Sequence, residues 1–325
     1  MIEAALRPME QTRPRPALTC APCRLGFGCA SLGSRVGASA GLYALAAARE
    51  AGVGWFDVAP AYGAGEAERL LGDFLQGRRH NVRVTTKVGI APPARLALMK
   101  AAYALGRPLV SSATSLRRAF RTLPATRNRR VPLNAGLIER SIEASLRRLR
   151  IDHVDVFALH DPDPADVGRD EILRALERAL ERGQARAIGV AGTVDACLAA
   201  KTSGGRYSVL QMSVEALASA RSHFADGPHR LVTHSVFGVN GGMLGRIVCA
   251  LKRRRDITFR LIELGYDTNV DLAAADLLLD YAFELNPDGI VLTSMFDARH
   301  RAANLLRAKD RPTLQVVELV RELLG

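Results

Sequence analysis

Short apolar runs, rich in Val, Ile, Leu or aromatic residues and each followed by loop-like sequence, alternate with stretches whose apolar residues recur at helical spacing. The runs cover residues 25–28, 53–57, 82–87, 154–160, 187–190, 207–212, 230–235 and 289–293. Continuous apolar runs of this length read as strands buried on both faces, the habit of parallel sheets. Helical periodicity covers 38–51, 66–75, 135–149, 169–181, 272–285 and 297–307, with Gly183 and Asn286-Pro287 as stop signals. Eight strand–helix units in sequence predict a (β/α)₈ TIM barrel over 25–325, preceded by a flexible extension at 1–24. A doubly wound sheet is the rival, but Gly26, Gly28 and Gly33 do not have the dinucleotide-fingerprint spacing.

Three of the runs end in an ionisable residue: Asp57, Lys87 and His160, with Tyr62 in the loop after Asp57. The carboxyl ends of barrel strands form the rim where such folds build active sites. An ammonium beside a phenol lowers its pKa and stabilises the phenolate, and a carboxylate keeps that ammonium charged. A histidine can hydrogen-bond a carbonyl oxygen and bring it to the hydroxyl. Together the four groups suit protonation of a carbonyl oxygen while its carbon is attacked. A lyase using Lys87 as a Schiff base is a weaker reading, since a lysine paired with Asp57 stays protonated.

The segments Gly54-Trp-Phe-Asp57-Val-Ala-Pro-Ala-Tyr62-Gly63, Thr86-Lys87-Val88 and Ser145 through His160-Asp161 resemble the three signature regions of the aldo/keto reductases. The resemblance runs from about Leu25 to Leu306. It implies NADPH-dependent reduction of an aldehyde or ketone, or the reverse, with NADH as an alternative cofactor. By it Tyr62 is the proton donor, Lys87 and Asp57 tune it, and His160 orients the carbonyl. It also implies a cofactor site at Gln211, His234, Ser235, Ser294, His300 and Asn304. Gly189-Val-Ala-Gly192 stands where the family has Gly-Val-Ser-Asn, and His234 where it has a stacking aromatic. Arg299 and Arg301 are candidates for a 2′-phosphate. These departures support an alternative, a cofactor-binding barrel acting as a sensor or partner subunit.

Net charge is +12, and nine cations with no acidic residue fall between Ala91 and Ile138. This long basic insertion after the third strand, at about 91–135, should lie over the barrel mouth. It suits an anionic carbonyl substrate, including a sugar-derived one, or a membrane-surface contact. Its arginines lack interleaved aromatics, so no nucleic-acid partner is expected. Five cysteines without a second Cys-x-x-Cys pair to join Cys20 and Cys23 predict a reducing, cytoplasmic setting and no metal site. Glu66 and Glu68 read as a helix start, and Trp55 as core.

Overall fold

The structure, a computed structural model, describes residues 23–92, 129–309 and 315–324. Eight strands close into a parallel barrel: β1 (Leu25–Gly28), β2 (Trp55–Asp57), β3 (Arg83–Val88), β4 (Val154–His160), β5 (Ala185–Ala191), β6 (Val209–Ser213), β7 (Arg230–His234) and β8 (Ile290–Thr293). Each strand pairs with its neighbours in sequence, and β1 closes the ring against β8. The (β/α)₈ expectation is met.

Helices α1 (Ala38–Glu50), α2 (Glu66–Leu75), α3 (Ala135–Leu149), α4 (Asp170–Glu181), α5 (Val194–Lys201) and α6 (Val214–Phe224) follow the first six strands. After β7 come α7 (Gly242–Arg253), α8 (Arg255–Glu263) and α9 (Val270–Leu285), and after β8 come α10 (Ala298–Lys309) and α11 (Gln315–Leu324). Side-chain caps sharpen several starts: Asn134 Oδ1 accepts from Leu137 N, Thr193 Oγ1 from Ala196 N, and Ser213 Oγ from Ala216 N. The helices bury one face against the outside of the barrel.

Inside the barrel the strand period of two sets the packing. Trp55, Val156, Ala158, Ala187, Ala191, Val209, Val232, Ile290 and Leu292 form their own buried cluster, apart from the larger core under the helices. Trp55 fits because Gly26 faces it across β1: a Cβ there would come within 2.6 Å of Leu292. The side chains two positions further along these strands are therefore those at the rim.

Some predicted boundaries move. Strand seven stops at His234, because Ser235 adopts φ 55° and leaves the extended region. Asp297 caps α10 from outside the helix, its Oδ1 accepting from the amides of Arg299 and His300 at 2.9 and 3.0 Å. Arg24, expected in the extension, is tied to the barrel through its carbonyl, which accepts from Val291 N at 2.9 Å. Residues 1–22 of that extension, Cys20 included, and most of the basic insertion lie outside the described residues. The insertion's base is described: Ile90–Ala91 and Arg129–Arg130 pair as an antiparallel ribbon. Among the described residues no helix is long and apolar enough to cross a membrane.

Candidate active site

Asp57 lies two positions beyond Trp55, His160 beyond Ala158, Gln211 beyond Val209, His234 beyond Val232 and Ser294 beyond Leu292. Five of the predicted site residues thus crown the interior cluster, and the alternation of the strands puts them there. Lys87 joins them from β3, with Lys87 and Asp57 both almost fully buried. Lys87 Nζ donates to Asp57 Oδ1 at 2.5 Å and lies 3.4 Å from both Val58 O and Tyr62 Oη. The second Asp57 oxygen is buried with no hydrogen-bond partner among the described residues.

Tyr62 owes its place to a tight turn after β2. Gly63 and Ala64 take φ 51° and 57°, and a Cβ on Gly63 would sit 2.8 Å from the Leu32 carbonyl oxygen. The Tyr62 ring stands edge-on to the His160 ring, centroids 6.0 Å apart, while Lys87 Nζ is 5.1 Å from the phenol centroid. The four predicted catalytic residues converge on one patch of the rim.

Burial outweighs the ammonium at the phenol. It pushes the Tyr62 pKa above its ordinary value, while Lys87 pulls it down and Asp57 adds to the rise. The sequence expectation of a lowered phenol is corrected: Tyr62 keeps its proton at neutral pH. For Lys87 burial favours the neutral amine, but Asp57 and Tyr62 together leave its pKa raised. A lysine held charged is a poor nucleophile, which argues against the Schiff-base reading. His160 is pushed down to about 3 by burial, by Lys87 and by His234, so its imidazole is neutral and can donate or accept one hydrogen bond. No group of three or more His, Cys, Asp or Glu among the described residues is placed to hold a metal.

Behind Lys87 sits a residue whose environment the sequence did not disclose. Glu68, read as a helix-start residue, does lie in the first turn of α2 but is wholly buried. Its carboxylate accepts from Thr86 Oγ1 at 2.6 Å and from Arg148 Nε at 2.6 Å. Thr86 points outward where Lys87 points in, so the pair straps β3 to α2 and α3. The only sequence signal was that alternation.

The aldo/keto reductase family profile matches residues 24–226. The D-threo-aldose 1-dehydrogenase of a Pseudomonas species is 30% identical over 259 residues, covering 73% of this chain and 72% of that protein. The chain belongs to the aldo/keto reductase family. The 6-dehydroglucose reductase of Agrobacterium fabrum is 34% identical over a shorter stretch, 43% of this chain and only 39% of that protein. Among solved structures, an aldo-keto reductase from Klebsiella pneumoniae in complex with NADPH superposes with a TM-score of 0.64 at 19% identity, covering 93% of this chain and 91% of that one. The glycerol dehydrogenase of Gluconobacter oxydans reaches 0.67 at 17% identity, covering 93% and 91%.

The cofactor site expected from the sequence falls on the rim between β5 and β8 and on α10. Gln211 is buried in the middle of β6, and its side-chain amide makes no hydrogen bond to a described residue. His234 Nδ1 lies 2.9 Å from Ser235 Oγ, and burial and Lys87 lower its pKa against the pull of Asp57 and Asp161. These groups fit an uncharged amide and a flat ring. Gly192 packs close to the chain after β4, where a Cβ would meet Asp161 Cα and Pro162 Cδ at 3.3 Å. Around α10 the picture is mixed. Ser294 and His300 are exposed, while Asn304 is buried and donates to Thr293 Oγ1 at 3.2 Å. Arg301 turns inward to the Met295 carbonyl at 3.0 Å, so of the two expected phosphate arginines only Arg299 is exposed. Asp297 already occupies the helix amides that a phosphate would seek.

Proposed function

We propose that this chain is a cytoplasmic NADPH-dependent reductase of a sugar-derived or an anionic aldehyde or ketone. The observation that carries the reading is the buried Lys87–Asp57 pair, with Tyr62 Oη 3.4 Å from Nζ and the His160 ring edge-on beside the phenol. NADPH, when bound, supplies the hydride to the carbonyl carbon; Gln211 and His234 would hold its nicotinamide, and Ser235, Ser294, Arg299, His300 and Asn304 its phosphate and adenosine side. The chain's own groups handle the oxygen. Neutral His160 donates a hydrogen bond to the carbonyl oxygen and sets it against Tyr62 Oη. The phenol, protonated at rest, gives its proton to that oxygen as negative charge develops there. Lys87, kept charged by Asp57, then stabilises the phenolate left behind.

Two observations support the substrate class. Several relatives are named for aldoses or aldose derivatives, L-galactose dehydrogenase of Arabidopsis thaliana among them at 29% identity over 176 residues. The basic insertion is anchored at the mouth: Arg130 pairs with Asp161, the residue after His160, and Gly89 lies so close to the His160 carbonyl oxygen that a Cβ would be 2.7 Å away. Arg129, exposed beside it, adds a cation at the site entrance.

The test is turnover of an aldose and aldehyde panel with NADPH by the wild type and by Tyr62→Phe, alongside fluorescence titration with NADPH and NADH. Expected is a loss of kcat of about 10²- to 10⁴-fold in the variant with cofactor affinity unchanged. Cofactor binding without turnover of any carbonyl by the wild type would favour the sensor alternative, and equal turnover by the variant would remove Tyr62 from the mechanism.

A further inference from the structure

The opposite end of the barrel is also concave. A cleft of about 600 Å³ opens where Arg186 and Ala187, Tyr207 and Ser208, Arg230 and Leu231, and Gly289 begin β5 to β8. These are the amino ends of the strands whose carboxyl ends carry the rim residues, so the cleft lies across the barrel from Lys87. Its volume falls in the range that encloses small organic ligands. The opening exists partly because Gly205, Gly227, Pro228 and Pro287 border it and place no long side chain across it.

Its lining has two chemistries. Leu217 and Phe224 of α6 and Leu285 of α9 supply an apolar wall. Arg186, Arg221 and Arg230 bring three guanidinium groups, against one carboxylate, Asp288. Two of the guanidinium groups are held in position by backbone carbonyls: Arg221 Nη1 donates to Glu284 O at 2.8 Å, and Arg230 Nη1 to Asp288 O at 3.1 Å. His229 is held likewise, its Nδ1 2.8 Å from the Tyr207 carbonyl oxygen, which leaves Nε2 as its other polar atom. Many other arginines of this chain meet a carboxylate, Arg69, Arg79, Arg148 and Arg307 among them. Arg186, Arg221 and Arg230 form no ion pair among the described residues. Cations that are pre-oriented, uncompensated and grouped in a concavity raise the local concentration of anions, and a fixed guanidinium fork matches phosphate oxygens.

We propose that this cleft binds a phosphate-bearing organic molecule of nucleotide size, its phosphate on the arginines and its flat or apolar part against Leu217 and Phe224. The site is separate from the rim and its occupancy does not depend on the reductase reading.

The test uses full-length protein saturated with NADP⁺, so that any cofactor site at the rim is filled. Anilinonaphthalene sulfonate, an aromatic anion, serves as the fluorescent probe and ADP as competitor. Expected is saturable probe fluorescence that ADP reverses and uncharged adenosine does not. Arg186→Glu, at an exposed position, should weaken ADP competition at least tenfold by reversing one charge. Ala225→Phe, also exposed, should weaken it by filling the opening without altering charge. Circular dichroism melts of both variants check that the barrel persists. ADP competition unchanged in both variants, or adenosine competing as well as ADP, would overturn the proposal.

Discussion

Replacing Lys87 with Met keeps the aliphatic stem and removes the charge from a pair that is 1% and 4% exposed at the side chains. Asp57 then has neither oxygen partnered, since its second oxygen already lacks a partner among the described residues. Leaving one member of a buried ion pair behind costs about 3–5 kcal/mol. Unfolding entropy near the midpoint is about 2.1 cal/mol/K per residue. Over the 325 residues of this chain that makes about 0.7 kcal/mol/K, and the penalty becomes a fall in Tm of about 4–7 °C. Asp57→Leu strands the ammonium instead and should cost a similar amount. The double variant Lys87→Met/Asp57→Leu replaces the pair with apolar volume and should return to within about 2 °C of the wild type, because a buried pair is about neutral against well-packed hydrophobes. Calorimetry on all four proteins reads the cycle without needing activity. The pH dependence has a defined sign. Because the folded pKa of Lys87 is raised above 10.5, its contribution is fully present below 10.5 and is lost as pH rises through the folded value. The gap between wild type and Lys87→Met should therefore persist up to about pH 9 and close on the alkaline side only in strong alkali, while on the acid side it narrows as the stranded Asp57 takes up a proton. A double variant as unstable as the sum of the singles, or a gap that closes as pH rises from about 7 to about 9, would refute the reasoning.

Three further outcomes are expected. The rate of carbonyl reduction should be flat from about pH 5 to about pH 8 and fall on the alkaline side as Tyr62 loses its proton. A limb near pH 6.5 that disappears in His160→Gln would show that the imidazole titrates normally, against its depression to about 3. His234→Tyr should tighten NADPH by about 2- to 10-fold, the equivalent of about 0.5–1.5 kcal/mol of aromatic stacking, in a titration read by Trp55, the chain's single tryptophan, buried two residues below Asp57. Weaker binding would mean that the ring at this position does not stack. Replacing both Arg129 and Arg130 with Ala should raise KM for a carboxylated or phosphorylated aldose about tenfold and leave a neutral aldehyde unchanged; equal effects on both substrates would remove the anion preference.

Most of the barrel was legible because its strands are continuous apolar runs with turn residues between them, and the charged residues that end three of them mark the rim. What could not be read were quantities that depend on packing from distant segments. The phenol of Tyr62 is raised rather than lowered because burial exceeds the field of Lys87, and burial is not a property of the Asp57–Tyr62 loop alone. Arg301 looked like a phosphate ligand on a helix start, yet the Met295 carbonyl and the ring of Tyr43, 6.0 Å away, take its guanidinium. Glu68 lies in the first turn of α2, but only the arrival of Arg148 from α3 makes it a buried anchor. Helices α7, α8 and α11 were passed over, and so were α5 and α6, where small residues blur the periodicity.

The rim divides into two halves with different freedom to vary. On the β2–β4 side, Lys87 is fixed by Asp57, its strand is held through Thr86 by Glu68 and Arg148, and Tyr62 sits on a turn that requires positive φ at Gly63. Each group there depends on a partner from another strand or helix, so a substitution at one leaves a buried charge or a strained turn at the next. On the β5–β8 side, Gln211 and His234 face the mouth with few protein partners, and Gly192, Ser294 and His300 are small or exposed. Changes there leave no buried charge without its partner. The departures from the resembled family pattern that the sequence shows, at Ala191, Gly192 and His234, all lie on that second half. Single substitutions on the second half should therefore leave Tm near that of the wild type, whereas single substitutions at Lys87 or Asp57 lower it.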